Sequence, residues 1–457
     1  MTQDVKPGTT EKLARFIVDS SYDKMPPQAI ETAKRAILDC FGVTFTGVAS
    51  HEGALLIDFA NELGGNPAAT VIGGGFRTTA PLAALVNGTM AHAEDFDDWT
   101  FATLGHPTVP MLPAILATAE QTRASGREIV EAYVTGFEAQ CATVRGVSPS
   151  HYVRGWHATG TIGTIGAAAA AAKLLKLDVE QTRMVLGLAA SQAAGLRQNF
   201  GTMTKPFHAG NAARSGVMAA MLMKRGFTAS PDIMEERFGV INVLKGNGAG
   251  EPESVTEGLG ENYVIVTTGV TFKLYPSCGE THSTIDLVLD LARTNKVSPD
   301  DVESAEAAVE DTTASVAFYT APKTGLEGKF SLEYCMARAL LDGRVSLEHF
   351  TDEKVNEPKV KDLVRKMKRR MDPEIPPIAG SSVTIKLKDG RELSQKADAP
   401  KGSPQSPPTD DQLFSKYKNC AQLVLSPSDV DRSLDLLRNL EQLKDLTELL
   451  EIAAKPR

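Results

Sequence analysis

The sequence predicts a mainly α-helical protein: a large all-helical domain drawn from both ends of the chain, with a smaller α+β domain between them. Three observations predict it. Roughly the first 260 residues read as helix after helix, unusually rich in alanine and glycine. Near Glu261 the texture changes to β-branched stretches alternating with helices. Beyond a Pro- and Ser-rich stretch at 399–409, two further helical stretches close the chain, and an isolated helix pair would not be stable alone, so they return to the helical domain. The expected division is residues 1–265 helical, 266–405 α+β and 406–457 helical again. A chain of 457 residues also exceeds what one core holds.

In order, helices are expected over 11–20, 27–48 (with proline in its first turn), 52–63, 81–92, 110–124, 127–144, 160–175, 178–194 and 208–225. Small residues three and four apart, as in Gly163, Gly166, Ala167, Ala170 and Ala171, let helices approach closely. Residues 263–274 are rich in β-branched side chains, and 281–294 is helical. The stretch 302–312 alternates like a strand. Helices follow over 331–342 and 354–371. Residues 382–387 and 392–395 around Asp389-Gly390 read as a β-hairpin. The last helical stretches are 410–422 and 428–454.

Composition narrows the function. Apolar residues make up 42% and charged residues 23%, which fits a globular protein. A formal charge of −9 gives no support to nucleic-acid binding. The one dense basic run, 359–370, alternates with Val360, Leu363, Val364 and Met367 at helical spacing and reads as a solvated helix face. The five cysteines are scattered, without CxxC or metal-type spacing, so neither a disulfide framework nor an iron–sulfur cluster is indicated. Residues 1–12 are polar and partly acidic, which argues against a signal or transit peptide. No apolar run approaches the roughly 20 residues needed to cross a membrane. A cytoplasmic protein without membrane or nucleic-acid partners is expected.

Four segments carry chemistry. Four carboxylates stand within five residues at Glu94, Asp95, Asp97 and Asp98, between His92 and His106. Like charges resist joint burial, so the cluster is a base with its histidine partner, a divalent metal site, or an exposed acidic loop; the flanking Phe96, Trp99 and Phe101 favour partial burial. His157 directly precedes a Gly/Thr-rich helix start, where unpaired backbone N–H groups suit a carboxylate; helix capping is the bland alternative. Lys205 lies among hydroxyls and small residues, either reaching to the surface or holding an anion inside. Lys273, Cys278 and His282 fall at the expected domain boundary, where clefts form sites. No protease-type signature surrounds Cys278, and it reads equally as a small packing residue.

Together these segments resemble the MmgE/PrpD family. The resemblance is carried by NGTMAHAEDFDD, GHPTVPMLPAILATAE, GWHATGTIGTIGAAAAAAKLL, SQAAGLRQNFGTMTKPFHAGNAARSGVMAAML, FKLYPSCGETHSTID and EGKFSLEYCMARALLDG, in family order from about residue 87 to 343. It implies a helical domain with an inserted α+β lid domain, a homodimer, and no metal or organic cofactor. Its site pattern falls on Asp95, His106, His157, Lys205 and Lys273, with Tyr319 by position. Two departures matter. Family decarboxylases resembling the animal enzyme have a histidine where this chain has Cys278, and place threonine directly after the acidic run, where this chain has Trp99 before Thr100.

The chemistry implied is proton transfer beside a carboxylate of a small di- or tricarboxylic acid. Lys205 and Lys273 would clamp carboxylates. His106 or His157 would be the base and the other the acid, with Asp95 orienting a histidine. Cys278 or His282 would supply an acid on the opposite face, and Thr100 and Tyr319 would touch substrate. The leading expectation is a 2-methylcitrate dehydratase-like hydro-lyase. An epimerase of the iminodisuccinate type, a cis-aconitate-type decarboxylase, and a non-catalytic carboxylate-binding member are the alternatives.

Overall fold

In the computed structural model, which describes residues 7–248, 250–376 and 379–456, the helices of the first half fall within two residues of the predicted ends, save Thr204–Met223, which starts earlier than the predicted 208. Residues 1–6, part of the stretch read as lacking a leader, lie outside the described residues. Local chemistry explains several starts. Ser125 and Glu128 form a reciprocal capping box at Gly126–Arg145, as do Asp178 and Gln181 at Val179–Gln192. Pro27 occupies the first turn of Pro27–Val48.

Glycine then sets how closely these helices pack. A Cβ added at Gly88 would lie 2.8 Å from Cα of Gly210, and one at Gly210 would lie 2.1 Å from the Leu85 carbonyl. The helices Ala80–Ala93 and Thr204–Met223 therefore touch backbone to backbone. Ala158–Leu174 is buried along nearly its whole length and meets Gly126–Arg145 at Gly136 and Gly166 by the same device. Leu413, Tyr417, Leu434 and Leu437 of the C-terminal helices Asp410–Ala421 and Pro427–Arg438 join the core formed by Ile37, Phe41 and Phe45. Both ends of the chain thus build the helical domain.

The smaller domain holds a four-stranded sheet. With β1 (Ala69–Thr70) and β2 (Arg77–Thr78) forming a minor ribbon, its strands are β3 (Val302–Val309), β4 (Met367–Met371), β5 (Ser381–Leu387) and β6 (Glu392–Ala397), in the order β4-β3-β5-β6. β4 runs parallel to β3; β5 is antiparallel to β3 and to β6. β5 alternates buried and half-buried residues along its length, and Val383, Ile385 and Leu387 pack with the helices His282–Asn295 and Leu332–Asp342. The fold is mainly α with this small sheet-containing domain.

Two expectations are corrected. The stretch 354–371 is not one helix: Pro358–Val364 is helical, and then Met367–Met371 becomes the edge strand β4. Pairing with β3 overrides the helical periodicity, with Arg369 reaching Glu333 and Arg370 reaching Glu306. The stretch 428–454 breaks into Pro427–Arg438 and Thr447–Ala453. All five cysteines are buried and free. No single helix among the described residues is long and apolar enough to cross a membrane.

Candidate active site

The acidic run begins where Ala80–Ala93 ends. Asp95 there adopts φ +51°, a left-handed conformation that stops a helix and that aspartate tolerates better than most residues. Buried lysines from the other domain engage the carbonyls this helix end leaves free: Lys329 Nζ donates to the Glu94 carbonyl (2.7 Å) and Lys273 Nζ to the Asp95 carbonyl (2.8 Å). The glycine contact at Gly88 and Gly210 brings the start of Thr204–Met223 alongside, so Lys205 arrives at the same place.

Asp95 Oδ1 accepts from Lys205 Nζ at 2.7 Å and from Lys273 Nζ at 2.8 Å. Burial alone raises the Asp95 carboxyl, but the two ammonium groups and His106 outweigh it and hold it well below the carboxylate range. Burial lowers Lys205 in turn, against the pull of Asp95. Asp95 Oδ2 is buried with no hydrogen-bond partner among the described residues.

A narrow cavity opens beside this pair. Its helical-domain wall carries Asp95, His106, His157 and Lys205 with Trp99, Leu104, Tyr152 and Phe200. Cys278, Gly279, Glu280, Thr312, Val316 and Phe330 form the wall from the sheet-containing domain. Lys205 Nζ lies over the rings of Phe200 and Phe330, 5.5 and 5.1 Å from their centroids.

The tautomer of His106 is set by its neighbours. His106 Nδ1 lies 2.9 Å from the Asp98 carbonyl, which accepts only, so Nδ1 bears the hydrogen and Nε2 of the neutral ring is bare. Asp97 Oδ2 lies 2.8 Å from that Nδ1, and Asp97 Oδ1 takes His92 Nδ1 at 2.8 Å. His106 Nε2 stands 3.6 Å from Asp95 Oδ1. Burial pushes His106 down although Asp97 pulls it up, and drives His92 to about 3. His157 precedes the first residue of Ala158–Leu174, and its Nδ1 lies 3.0 Å from His208 Nδ1. Burial, with Lys205 and His208 beside it, pushes His157 well below the usual range.

Of the sequence candidates, Asp95, His106, His157, Lys205 and Cys278 line the cavity together. Burial pushes the Cys278 thiol up to about 12. Lys273 is fully buried behind Asp95 and off the cavity wall, so it holds the carboxylate instead of clamping substrate. His282 is fully buried, packed edge-on against Tyr275 with Nε2 3.3 Å from the Ser277 carbonyl, and does not reach the cavity. Thr100 donates its hydroxyl to the Gly269 carbonyl (2.8 Å), which ties down the loop. Tyr319 donates to the Phe200 carbonyl (3.2 Å) and supports a lining residue from behind. Three residues outside the expected set belong to the site. Asp97 is the carboxylate beside both histidine Nδ1 atoms, whereas Asp95 serves the lysines. His208 partners His157, and Glu280 lines the cavity.

The metal reading has a geometric basis: ligand atoms of His92, Asp95, Asp97 and His106 lie within 4.8 Å of one another. The donors do not fit a dication. Asp95 Oδ1 already carries two ammonium groups, Asp97 Oδ1 is taken by His92 Nδ1, and Asp97 Oδ2 lies 2.8 Å from the His106 Nδ1 that bears its ring's hydrogen.

Family models match over most of the chain: the MmgE/PrpD N-terminal domain over residues 11–252 and the MmgE/PrpD C-terminal domain over 275–442. A cis-aconitate decarboxylase of Mus musculus is 28% identical over 98% of this chain and 94% of its own length. One from Aspergillus terreus is 27% identical over 99% and 97%. A mitochondrial 2-methylcitrate dehydratase of Yarrowia lipolytica is 26% identical over 86% and 80%.

Proposed function

The chain belongs to the MmgE/PrpD family, and from that premise we propose that this enzyme, a lyase acting on a small carboxylic acid, is a hydro-lyase that removes a proton beside a carboxylate and expels water. The observation that supports the reading is His106 on the cavity wall, its Nδ1 committed to the Asp98 carbonyl and its Nε2 left bare. A neutral imidazole so fixed is a base ready to take a proton.

The mechanism follows from the positions. A di- or tricarboxylate enters the cavity with one carboxylate at Lys205, whose ammonium meets the charge that spreads onto that carboxylate as the neighbouring C–H bond breaks. His106 Nε2 takes the proton. Asp97, beside Nδ1, then stabilises the imidazolium. Lys273, held to Asp95, keeps the Asp95–Lys205 pair in register.

Decarboxylation is the second reading, favoured by the full-length similarity to cis-aconitate decarboxylases. In that case Lys205 would stabilise the carbanion left by carbon dioxide. We also propose a homodimer; the apolar stripe of Leu55, Phe59 and Leu63, each about half exposed along one face of His51–Leu63, supports it, and light scattering tests it.

Proton NMR in deuterated water, with 2-methylcitrate, citrate, cis-aconitate and iminodisuccinate supplied in parallel to chelator-treated protein, tests the activity. Loss of water from 2-methylcitrate or citrate is expected. Carbon dioxide release from cis-aconitate would replace the first reading with the second, and epimerisation of iminodisuccinate without elimination would replace both.

A further inference from the structure

Elimination needs a proton donor as well as a base, and the cavity offers few. His157 is driven by burial towards its neutral form. The Cys278 thiol, pushed up to about 12, releases its proton too reluctantly near neutrality. Glu280 differs from both. The turn Gly279–Thr281, at the foot of His282–Asn295, places it in the lining of the cavity that His106, Lys205 and Asp95 also line. Its Oε2 accepts from Thr313 Oγ1 at 2.6 Å, while Oε1 has no protein partner among the described residues. The turn itself is pinned by Trp99, whose ring leaves no room for a side chain at Gly279: a Cβ there would lie 2.7 Å from it.

We propose that Glu280 is the proton donor of this reaction, its carboxyl anchored by Thr313 on the sheet-domain wall and its free oxygen turned to the group that leaves substrate. The inference rests on the lyase reading above. In the step, His106 Nε2 takes the proton from carbon and the C–H electron pair becomes the new double bond. The C–O pair departs with oxygen, which receives the Glu280 proton and leaves as water. His106 ends as imidazolium and Glu280 as carboxylate, and exchange with solvent moves one proton back.

The surroundings favour a protonated carboxyl. No lysine, arginine or histidine among the described residues pairs with Glu280. Glu310, at the start of Asp311–Val316, adds negative charge beside it, and Cys278 lines the same wall, with Tyr152 on the helical-domain wall. Asp95, His106 and Lys205 line the same cavity. Burial raises Glu280 to about 7, against the Thr313 hydrogen bond. It therefore holds its proton below about pH 7 and loses it above.

The test compares the intact enzyme with Glu280→Gln, Glu280→Asp and Thr313→Val on the acid that wild type turns over. Wild-type kcat/KM should fall on the alkaline side of about pH 7. Glu280→Gln should lose about 100-fold or more in kcat with little change in KM, and the alkaline limb should vanish. Glu280→Asp should keep part of the activity. Thr313→Val removes the bond that lowers the carboxyl and should move the limb to higher pH, a readout that survives if the glutamine variant fails to fold. Glu280→Gln with kcat within about threefold of wild type, or an unaltered limb, overturns the proposal. If wild type turns over none of the acids, the lyase reading fails by itself. Carboxyl-carbon NMR of glutamate-labelled protein then judges Glu280 alone: a resonance absent from Glu280→Asp that titrates near 7 supports the donor, and one near the ordinary glutamate value overturns it.

Discussion

Asp97 Oδ2 and His106 Nδ1 lie 2.8 Å apart, and the same carboxylate bonds His92 Nδ1 through its other oxygen. One buried anion therefore serves two rings, and it stands ready to stabilise a His106 imidazolium while Nε2 of the neutral ring stays bare. The lysines, by contrast, belong to Asp95. Four carboxylates in five residues are buried or half-buried together because each has a different partner: Lys329 for Glu94, two lysines for Asp95, two histidines for Asp97 and the Thr108 hydroxyl for Asp98.

Asp97→Asn should therefore disable catalysis more than folding. Without the anion, the His106 imidazolium formed on proton uptake loses its nearest stabilising charge. A drop in kcat of about 10²- to 10⁴-fold is expected, with the acid limb of kcat/KM moved to lower pH because the ring becomes harder to protonate. Steady-state kinetics across pH checks this; a rate loss with an unmoved limb would assign Asp97 a purely structural role.

Lys205→Met should abolish most turnover while the fold persists. The ammonium is the cation on the cavity wall, and Asp95 retains Lys273 when it is gone. A loss of about 10²- to 10³-fold in kcat is expected, with circular dichroism unchanged. Lys273→Met, behind Asp95, should instead lower thermal stability by more than Lys205→Met, since it also leaves the Asp95 carbonyl without its ammonium.

The sequence made the helices legible because their starts are locally encoded, as at Ser125 and Pro27, and because small residues mark close packing. The motifs around Asp95, His106, His157, Lys205 and Lys273 marked them as candidates for one site; the first four line one cavity, and Cys278, which read equally as a packing residue, lines it too. The sequence could not say which carboxylate of the run meets which cation, since that depends on the left-handed turn at Asp95. Lys273 and His282 share a segment with Cys278, yet only Cys278 reaches the cavity, because the chain direction after Phe272 is fixed by contacts with Gly402 and Lys329 from far along the chain. Glu280 has no sequence signal of its own, since its neighbours Cys278 and His282 carry the more familiar chemistry. The strand at Met367–Met371 was hidden because helical periodicity in a basic run does not register a partner strand 60 residues away.

Acid should destabilise the protein partly through His92. Its folded-state value, about 3, lies below the ordinary 6.5, chiefly through burial. The unfolded chain thus binds a proton first as pH falls, so this stability is complete above about 6.5 and is lost from there down towards 3. The slope contributed is about 1.4 kcal/mol per pH unit within that window. Urea unfolding of wild type and His92→Gln between pH 7 and 4 measures it: the variant's stability should depend less steeply on pH, and parallel curves would show that the ring is not buried neutral.

Gly88→Ala tests how far the site depends on helix contact at a distance from it. The added methyl meets the Gly210 backbone at 2.8 Å, which a side-chain rotation cannot relieve, so one helix must move. Overpacking of this kind costs about 1–3 kcal/mol. The displaced helices are those that carry Asp95 and Lys205, and a 2.7 Å bond between them has no slack. Activity should therefore fall along with the melting temperature, about tenfold or more in kcat/KM, although neither glycine touches the cavity. Gly210→Ala should cost more, because its methyl meets the Leu85 carbonyl at 2.1 Å. A Gly88→Ala enzyme that melts lower yet turns over at the wild-type rate would show that the Asp95–Lys205 pair is positioned by the sheet-containing domain through Lys273 and Phe330, and not by the helix crossing.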